Sequence, residues 1–370
     1  MLWPQSPMPE AEHMEITELP TEGYERVVKA HDPESGLRAI ISVYDTTLGP
    51  AVGGLRMWPY ESEEDALFDV LRLSKGMAYK SAVAHTGMGG GKAVIIGDPA
   101  AIKSDELYLA MGRFIDSLDG LYYTAEDVNT RVRDLEVIRR VTPYVTGLAR
   151  ESGGSGNPSP YTAYGVYLGI RAALGWRFGS DDPKGRSVVI QGVGAVGSEI
   201  CYRLRDAGAH VFVADPKTEK VAAAVDQWGA EEIVEEDVLV ADVDVLAPCA
   251  LGAIIDDDTL PGLRCKIIAG ATNNPLLDAR HGEELRDRGI LYAPDYVINS
   301  GGIINVACEF EDGGYDESHA IRRIERIPQA LRELWTIAKA EGIPPSRAAD
   351  RLAEKILAEA SVTPESPNPV

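Results

Sequence analysis

Three groups of residues in this chain have the types and spacing that chemistry needs. The first lies in SVVIQGVGAVGSEI, where Gly192, Gly194 and Gly197 form G-x-G-x-x-G directly after a β-branched run and at the mouth of a helical one. The first glycine permits a tight turn, the second lets backbone approach a pyrophosphate, and the third lets helix and strand pack closely. Backbone amides around Val193, Gly194, Ala195 and Val196 would then face the phosphates from the helix N-terminus. Asp215 ends the next strand, 18 residues beyond Gly197. A carboxylate there accepts hydrogen bonds from the adenosine ribose and repels a 2′-phosphate, which favours NAD over NADP. The second group is YKSAVAHTGMGGGKAV, with Lys80 and Lys92 on either side of Gly89-Gly90-Gly91. It is no Walker A loop, since that motif needs glycine where Thr86 stands and Ser or Thr where Ala93 stands. Three glycines permit close backbone approach and positive φ, and a turn of that kind can aim a lysine into a cleft without its own loop blocking access. Spacing alone leaves solvated surface lysines equally open. The third group is YYTAEDVNT, a short aromatic strand running into Glu126 and Asp127. A carboxylate at a strand end suits general acid–base work, but Asp127 or Asn129 could equally cap a helix beginning near Thr130, the commoner role.

The elements that must position these groups read as α/β. Arg26–Ala30, Leu37–Tyr44 and Ala93–Ile96 have strand character. Glu63–Val83 carries apolar residues at helical spacing, and Ser104 is placed to cap a helix running to about Leu118. ESGGSGNPSP, residues 151–160, breaks the pattern as a linker or an ordered loop. From Ser187 strands and helices alternate, which predicts a parallel sheet covered on both faces.

A length of 370 residues exceeds one hydrophobic core and favours two domains. The formal net charge of −22 disfavours nucleic acid or an anionic membrane as partner. No stretch reaches the length of a membrane span, and the first basic residue is Arg26, so no secretory signal is expected and the cytoplasm is the expected compartment. Cys201, Cys249, Cys265 and Cys308 form no CxxC pair and read as buried, reduced side chains. Histidines are scattered without ligand spacing, so no metal site is expected. Acidity runs through both halves while Lys numbers only 11 against 25 Arg. That pattern suggests a salt-rich cytoplasm, where cations screen self-repulsion.

With these motifs in order, the chain resembles the amino acid dehydrogenases of the glutamate, leucine, phenylalanine and valine dehydrogenase superfamily, most of all its leucine-type members. DTTLGPAVGGLRMWPY, GMAYKSAVAHTGMGGGKAVIIGDP, YYTAEDV, SGNPSPYTAYGVYLGI, APCALGAII, IAGATNNPL and LYAPDYVINSGGIINVA carry the resemblance in one linear order. It implies two domains around a cleft: an α/β catalytic and oligomerisation domain over 14–146 and a Rossmann-type NAD-binding domain over 147–342. A C-terminal helix over 343–362 would pack back on the catalytic domain, with flexible tails at 1–13 and 363–370. By the same resemblance Lys80, with the Gly53-Gly54 backbone, binds the substrate α-carboxylate, Lys92 is the catalytic lysine and Asp127 the proton-transfer carboxylate. Thr162 would hold the nicotinamide carboxamide, Asn273 would lie near the nicotinamide ribose, and Ala250 would line the cofactor path. Lys80, as a neighbouring cation, and burial would depress the Lys92 pKa. Val52, Ala125, Ile303 and Val306 would line the side-chain pocket; all are apolar, which argues for a branched aliphatic L-amino acid and against glutamate. The implied reaction is reversible deamination to the 2-oxo acid and ammonia by a homo-oligomer. Val52, Leu55, Asn129, Thr272, Ser300 and Ile303 depart from the family pattern and keep phenylalanine or tryptophan open as substrates. A catalytically silent NAD-binding protein is the rival from another class, disfavoured because Lys80, Lys92 and Asp127 are all present.

Overall fold

A computed structural model describes residues 14–362, so the two expected tails lie outside the described residues. The chain forms two compact units. The first holds the residues up to Ala78 and Met88–Ser152, and the second holds Tyr79–Gly87 and the residues from Gly153 on. The division thus falls six residues beyond the expected boundary at 146, and a short piece around Lys80 groups with the second unit.

In the first unit, strands β1 (Glu15–Glu18), β2 (Arg26–Asp32), β3 (Leu37–Asp45), β4 (Ala51–Trp58), β5 (Gly89–Ile96) and β6 (Tyr122–Glu126) make one mixed sheet in the order β1-β2-β3-β5-β4-β6. β1 to β3 run antiparallel, β3 pairs antiparallel with β5, and β4 lies parallel between β5 and β6. Helices α1 (Glu63–Val83), α2 (Pro99–Ile102), α3 (Asp105–Asp116) and α4 (Val132–Ile138) accompany it. The Ser104 hydroxyl accepts from the Leu107 amide at 3.1 Å, so α3 starts where the sequence places its cap. Period-two alternation divides the core. Ile41 of β3 packs with Leu55, Ile95 and the α3 residues Leu107, Met111 and Phe114, while Ile40 faces Val70 and Val94 in a second cluster.

The expected glycine turn is not there. Gly89, Gly90 and Gly91 lie inside β5, buried, and none has positive φ. Their reason is close approach: a Cβ on Gly90 would stand 2.1 Å from the Ala78 amide nitrogen in α1, and one on Gly91 2.7 Å from the Tyr122 ring. These glycines let helix and neighbouring strands close onto β5, and Lys92 follows as its one charged residue.

In the second unit, β7 (Ser187–Gln191), β8 (His210–Ala214), β9 (Glu231–Glu232), β10 (Val245–Pro248), β11 (Ile267–Ile268) and β12 (Leu291–Tyr292) form an all-parallel sheet in the order β12-β11-β10-β7-β8-β9. Strand order reverses between β7 and β10, and ligands of doubly wound sheets bind at such a point beyond the strands' carboxyl ends. Its helices are α5 (Ser159–Phe178), α6 (Ala195–Asp206), α7 (Thr218–Trp228), α8 (Arg280–Asp287), α9 (Asp295–Ile298), α10 (Gly301–Ala307), α11 (Glu317–Ile324), α12 (Ile327–Glu341) and α13 (Pro345–Val362). Within residues 151–160 the stretch 153–158 is an ordered loop between a 3-10 turn (Arg150–Ser152) and α5, held where the Ser155 amide donates to Glu309 at 2.6 Å. The last helix, α13, packs on α12, α8 and β12 of this unit, and the Tyr79 hydroxyl donates to its Glu354 at 2.8 Å. Left-handed Gly342 ends α12, and with Pro345 opening α13 the chain folds back onto the helix it has just left. No described helix is long and apolar enough to cross a membrane.

Candidate active site

In the first unit the site forms where β4, β5 and β6 run side by side. Gly54 of β4 stands opposite Ala125 of β6, and Asp127 follows just past the end of β6. Lys92 comes from β5, buried at 5% exposure, and its Nζ lies 3.0 Å from Asp127 Oδ2. The glycines of β4 make this approach possible. A Cβ on Gly53 would stand 1.8 Å from the Gly91 carbonyl oxygen, and one on Gly54 would meet Asp127 Cβ at 2.7 Å and Lys92 Nζ at 3.2 Å. The Tyr122 hydroxyl fixes that backbone by donating to the Gly53 carbonyl at 2.6 Å. Asp127 is therefore no helix cap: α4 begins at Val132, and Asp134 accepts from the Arg131 amide there. Asn129, at φ +61°, donates instead to the Met57 carbonyl.

Arg56, a residue that the sequence reading passed over, completes the cluster. Its Nε donates to Asp127 Oδ2 at 3.0 Å and a terminal nitrogen donates to Asp69 Oδ2 at 2.8 Å. Strand parity could have found it, because Arg56 lies two residues beyond Gly54 and so on the same face of β4. Burial drives the Lys92 pKa below its ordinary value and Arg56 adds to the fall, against the pull of Asp127. Burial works to raise Asp127, but the Lys92 and Arg56 cations outweigh it and hold its carboxyl below the usual range. The cation beside Lys92 in this unit is thus Arg56, while Lys80, expected in that part, belongs to the second unit. Of the expected pocket residues, Val52 is buried in β4 and Ala125 half-buried in β6.

In the second unit the glycine motif adopts its expected place between β7 and α6. Gly192 has φ +94°, and a Cβ on Gly197 would stand 2.0 Å from the Gly192 carbonyl oxygen. A Cβ on Gly194 would meet nothing within 4 Å, so this glycine keeps open the space over the helix N-terminus. Val193, Ala195 and Val196 lie between them, and Ala250 follows β10, its Cβ 2.8 Å from where a Cβ on Gly192 would lie. Asp215 Oδ2 accepts from the Val193 amide at 3.0 Å, which ties the end of β8 to the glycine turn. Lys80, in the last turn of α1, donates to Asn299 Oδ1 at 2.7 Å, and Asn299 Nδ2 donates to Asn273 Oδ1 at 2.6 Å. Asn299, buried, is the second residue missed, and no spacing in the sequence marks it. Thr162 lies in the first turns of α5, where a Cβ on Gly302 would stand 2.7 Å from its hydroxyl. Ile303 and Val306 follow on α10, half-buried and buried respectively. Elsewhere in this unit Asp257, His281 and Glu284 converge, but Arg280 already pairs with both carboxylates. The four thiols are unpaired, and burial pushes Cys249 up to about 12 and Cys201 up to about 11, so both stay protonated.

A doubly wound sheet with a glycine-rich first crossing, joined to an α/β unit that pairs a buried lysine with a half-buried carboxylate, defines a two-domain dehydrogenase. Residues 24–144 match the family model described as Glu/Leu/Phe/Val dehydrogenase, dimerisation domain, and residues 213–363 match that of Glutamate/Leucine/Phenylalanine/Valine dehydrogenase. The chain is 51% identical over 337 residues to a leucine dehydrogenase of Geobacillus stearothermophilus, covering 91% of each. It is 46% identical over 345 residues to a valine dehydrogenase of Streptomyces coelicolor, covering 92% of this chain and 94% of that one. The crystal structure of L-tryptophan dehydrogenase from Nostoc punctiforme matches with a TM-score of 0.83 at 42% identity, over 92% of this chain and 97% of that one. The chain belongs to the glutamate/leucine/phenylalanine/valine dehydrogenase family and is an amino acid dehydrogenase.

Proposed function

We propose that this enzyme carries out the NAD-dependent, reversible oxidative deamination of a branched-chain aliphatic L-amino acid, giving the 2-oxo acid and ammonia. The observation that carries the reading is the pair of buried Lys92 and half-buried Asp127, pressed against the bare backbone of Gly54. The cofactor fits the residues present: Gly192 and Gly197 admit no side chain, Gly194 leaves open space, and the α6 amides point a partial positive charge at a pyrophosphate. Asp215 would meet the adenosine ribose, Thr162 the nicotinamide carboxamide, and Asn273 the nicotinamide ribose, with Ala250 along the path. When bound, NAD accepts the hydride that leaves Cα.

The chain's own residues do the rest. Lys80 pairs with the substrate α-carboxylate, helped by the Gly53-Gly54 backbone. Loss of hydride leaves an iminium carbon, and water attacks it as neutral Lys92 takes the water's proton. Collapse of the carbinolamine breaks the C–N bond, and Asp127 carries the proton that the departing nitrogen needs. Val52, Ala125, Ile303 and Val306 are all apolar, so none of them could pair with a γ-carboxylate. Among aliphatic substrates, one methylene shifts affinity by only about 1–3 kcal/mol, so leucine, isoleucine and valine compete closely. An aromatic substrate is the second reading, favoured by the 42% identity to a tryptophan dehydrogenase. We place the enzyme in the cytoplasm as a homo-oligomer; unpaired thiols and the match to a dimerisation domain support this. The Lys92→Ala variant is expected to keep NADH binding, read by fluorescence, and to lose about 10²- to 10⁴-fold in turnover. Near-normal turnover would overturn the assignment.

A further inference from the structure

We propose that Arg56 is the positioning residue of the Lys92–Asp127 pair, clamped by Asp69 so that Asp127 shares one oxygen between two cations and keeps the other for substrate. The inference rests on the function proposed above. Among the described residues the ion-pair contacts of Asp127, from Lys92 Nζ and from Arg56 Nε, both fall on Oδ2, each at 3.0 Å. Oδ1 is therefore the oxygen left to exchange a proton with the substrate nitrogen. Arg56 has no freedom to wander. Asp69, from α1, accepts its terminal nitrogen at 2.8 Å and is itself fixed by the Tyr60 hydroxyl at 2.7 Å and by Arg72 at 3.0 Å. The guanidinium is planar and forked, so it can hold Asp127 and Asp69 at a set angle, which a lysine ammonium cannot do.

The arrangement also answers an electrical problem. A carboxylate paired with buried Lys92 alone would stabilise the ammonium and remove the base. With Arg56 sharing the carboxylate, part of that pull is cancelled, and Lys92 can be neutral while Asp127 stays ionised. The charged groups acting on the pair are Arg56 from β4 and Asp69 from α1, and Glu126 is the carboxylate next to Asp127 in the chain. Tyr122 and Tyr60 stay neutral, because burial holds both phenols well above their ordinary value.

The test is the pH dependence of kcat/KM for L-leucine deamination in wild type, Arg56→Gln, Arg56→Lys and Asp69→Asn, with Lys92→Ala beside them. In Arg56→Gln the acid limb is expected to move to higher pH by about one unit, a tenfold loss near neutrality that largely recovers in alkali. Arg56→Lys keeps the charge, so its limb should stay near wild type while the rate falls at every pH. Asp69→Asn frees the guanidinium and should lower kcat with little change in KM for NAD. A role in folding alone would lower every rate in parallel and leave the limb in place, and that outcome in Arg56→Gln overturns the proposal. Should Arg56→Gln not fold, wild-type kcat in both Arg56→Lys and Asp69→Asn would overturn it equally. An active Lys92→Ala enzyme would instead overturn the proposed function, so the two failures are distinct.

Discussion

In the proposed reaction Lys92 has to be a base beside a carboxylate at 3.0 Å, and burial decides the contest. Because its pKa lies below the ordinary 10.5, the neutral form gains population as pH rises through that depressed value. Deamination, which in the proposed reaction needs neutral Lys92, should therefore rise along a limb whose midpoint lies below pH 10.5, and amination, which needs the ammonium, should fall along the same limb. Initial rates in both directions across pH check this; a deamination limb at or above the ordinary lysine value would contradict it. Asp127→Asn keeps an oxygen for Arg56 but cannot ionise, so turnover should drop by about 10²- to 10⁴-fold with NADH binding retained. Lysine and aspartate were legible as candidates in the sequence because a strand end and a glycine-rich approach leave local marks. Spacing could not choose between catalysis and surface, or between acid and cap, since a contact between residues 92 and 127 is made by strand pairing. Arg56 and Asn299 were missed because the partners they bond, Asp127 and Lys80, are distant in sequence.

At the scale of elements, glycine is used here in two opposite ways, and substitutions separate them. Gly90→Ala would drive a Cβ to 2.1 Å from the α1 backbone, so β5 and α1 must part. A loss of about 1–3 kcal/mol is expected, read as a lower Tm. Gly76, exposed on the same helix, has nothing within 4 Å of its missing Cβ. Gly76→Ala should therefore stabilise by about 0.5–1 kcal/mol, since alanine loses less entropy in a helix. Equal effects of the two substitutions would show that close approach is not what fixes Gly90. The helix Glu63–Val83 is legible to the residue because its acidic first turn and apolar spacing are local. The strand Gly89–Gly91 was not, because glycine has no strand propensity and only the packing of Ala78 and Tyr122 explains it. Which neighbour the Ala348, Ala349 and Leu352 face of α13 meets is likewise set by packing and not by local sequence.

For the whole molecule, the −22 formal charge was the first feature to exclude partners, and the dehydrogenase fold leaves it without a ligand to explain it. Self-repulsion then opposes folding and should weaken as salt shortens the Debye length from about 10 Å at 0.1 M to about 3 Å at 1 M. Tm is expected to rise by several degrees with KCl over that range, whereas an unchanged Tm would rule out adaptation to a salt-rich cytoplasm. Static light scattering should return a multiple of 39.9 kDa, and a monomer at micromolar concentration would contradict the homo-oligomer. The two-domain α/β class was legible from length, from the glycine motif and from the change of pattern after residue 160. Its exact division was not, because Tyr79–Gly87 continues the helix of one unit while packing with the other. The most direct test of the central claim is the initial rate of nicotinamide reduction with a panel of L-amino acids, each with NAD and with NADP. Fastest turnover of leucine, isoleucine or valine with NAD is the expected result. Preference for phenylalanine, tryptophan or glutamate, or for NADP, would contradict it.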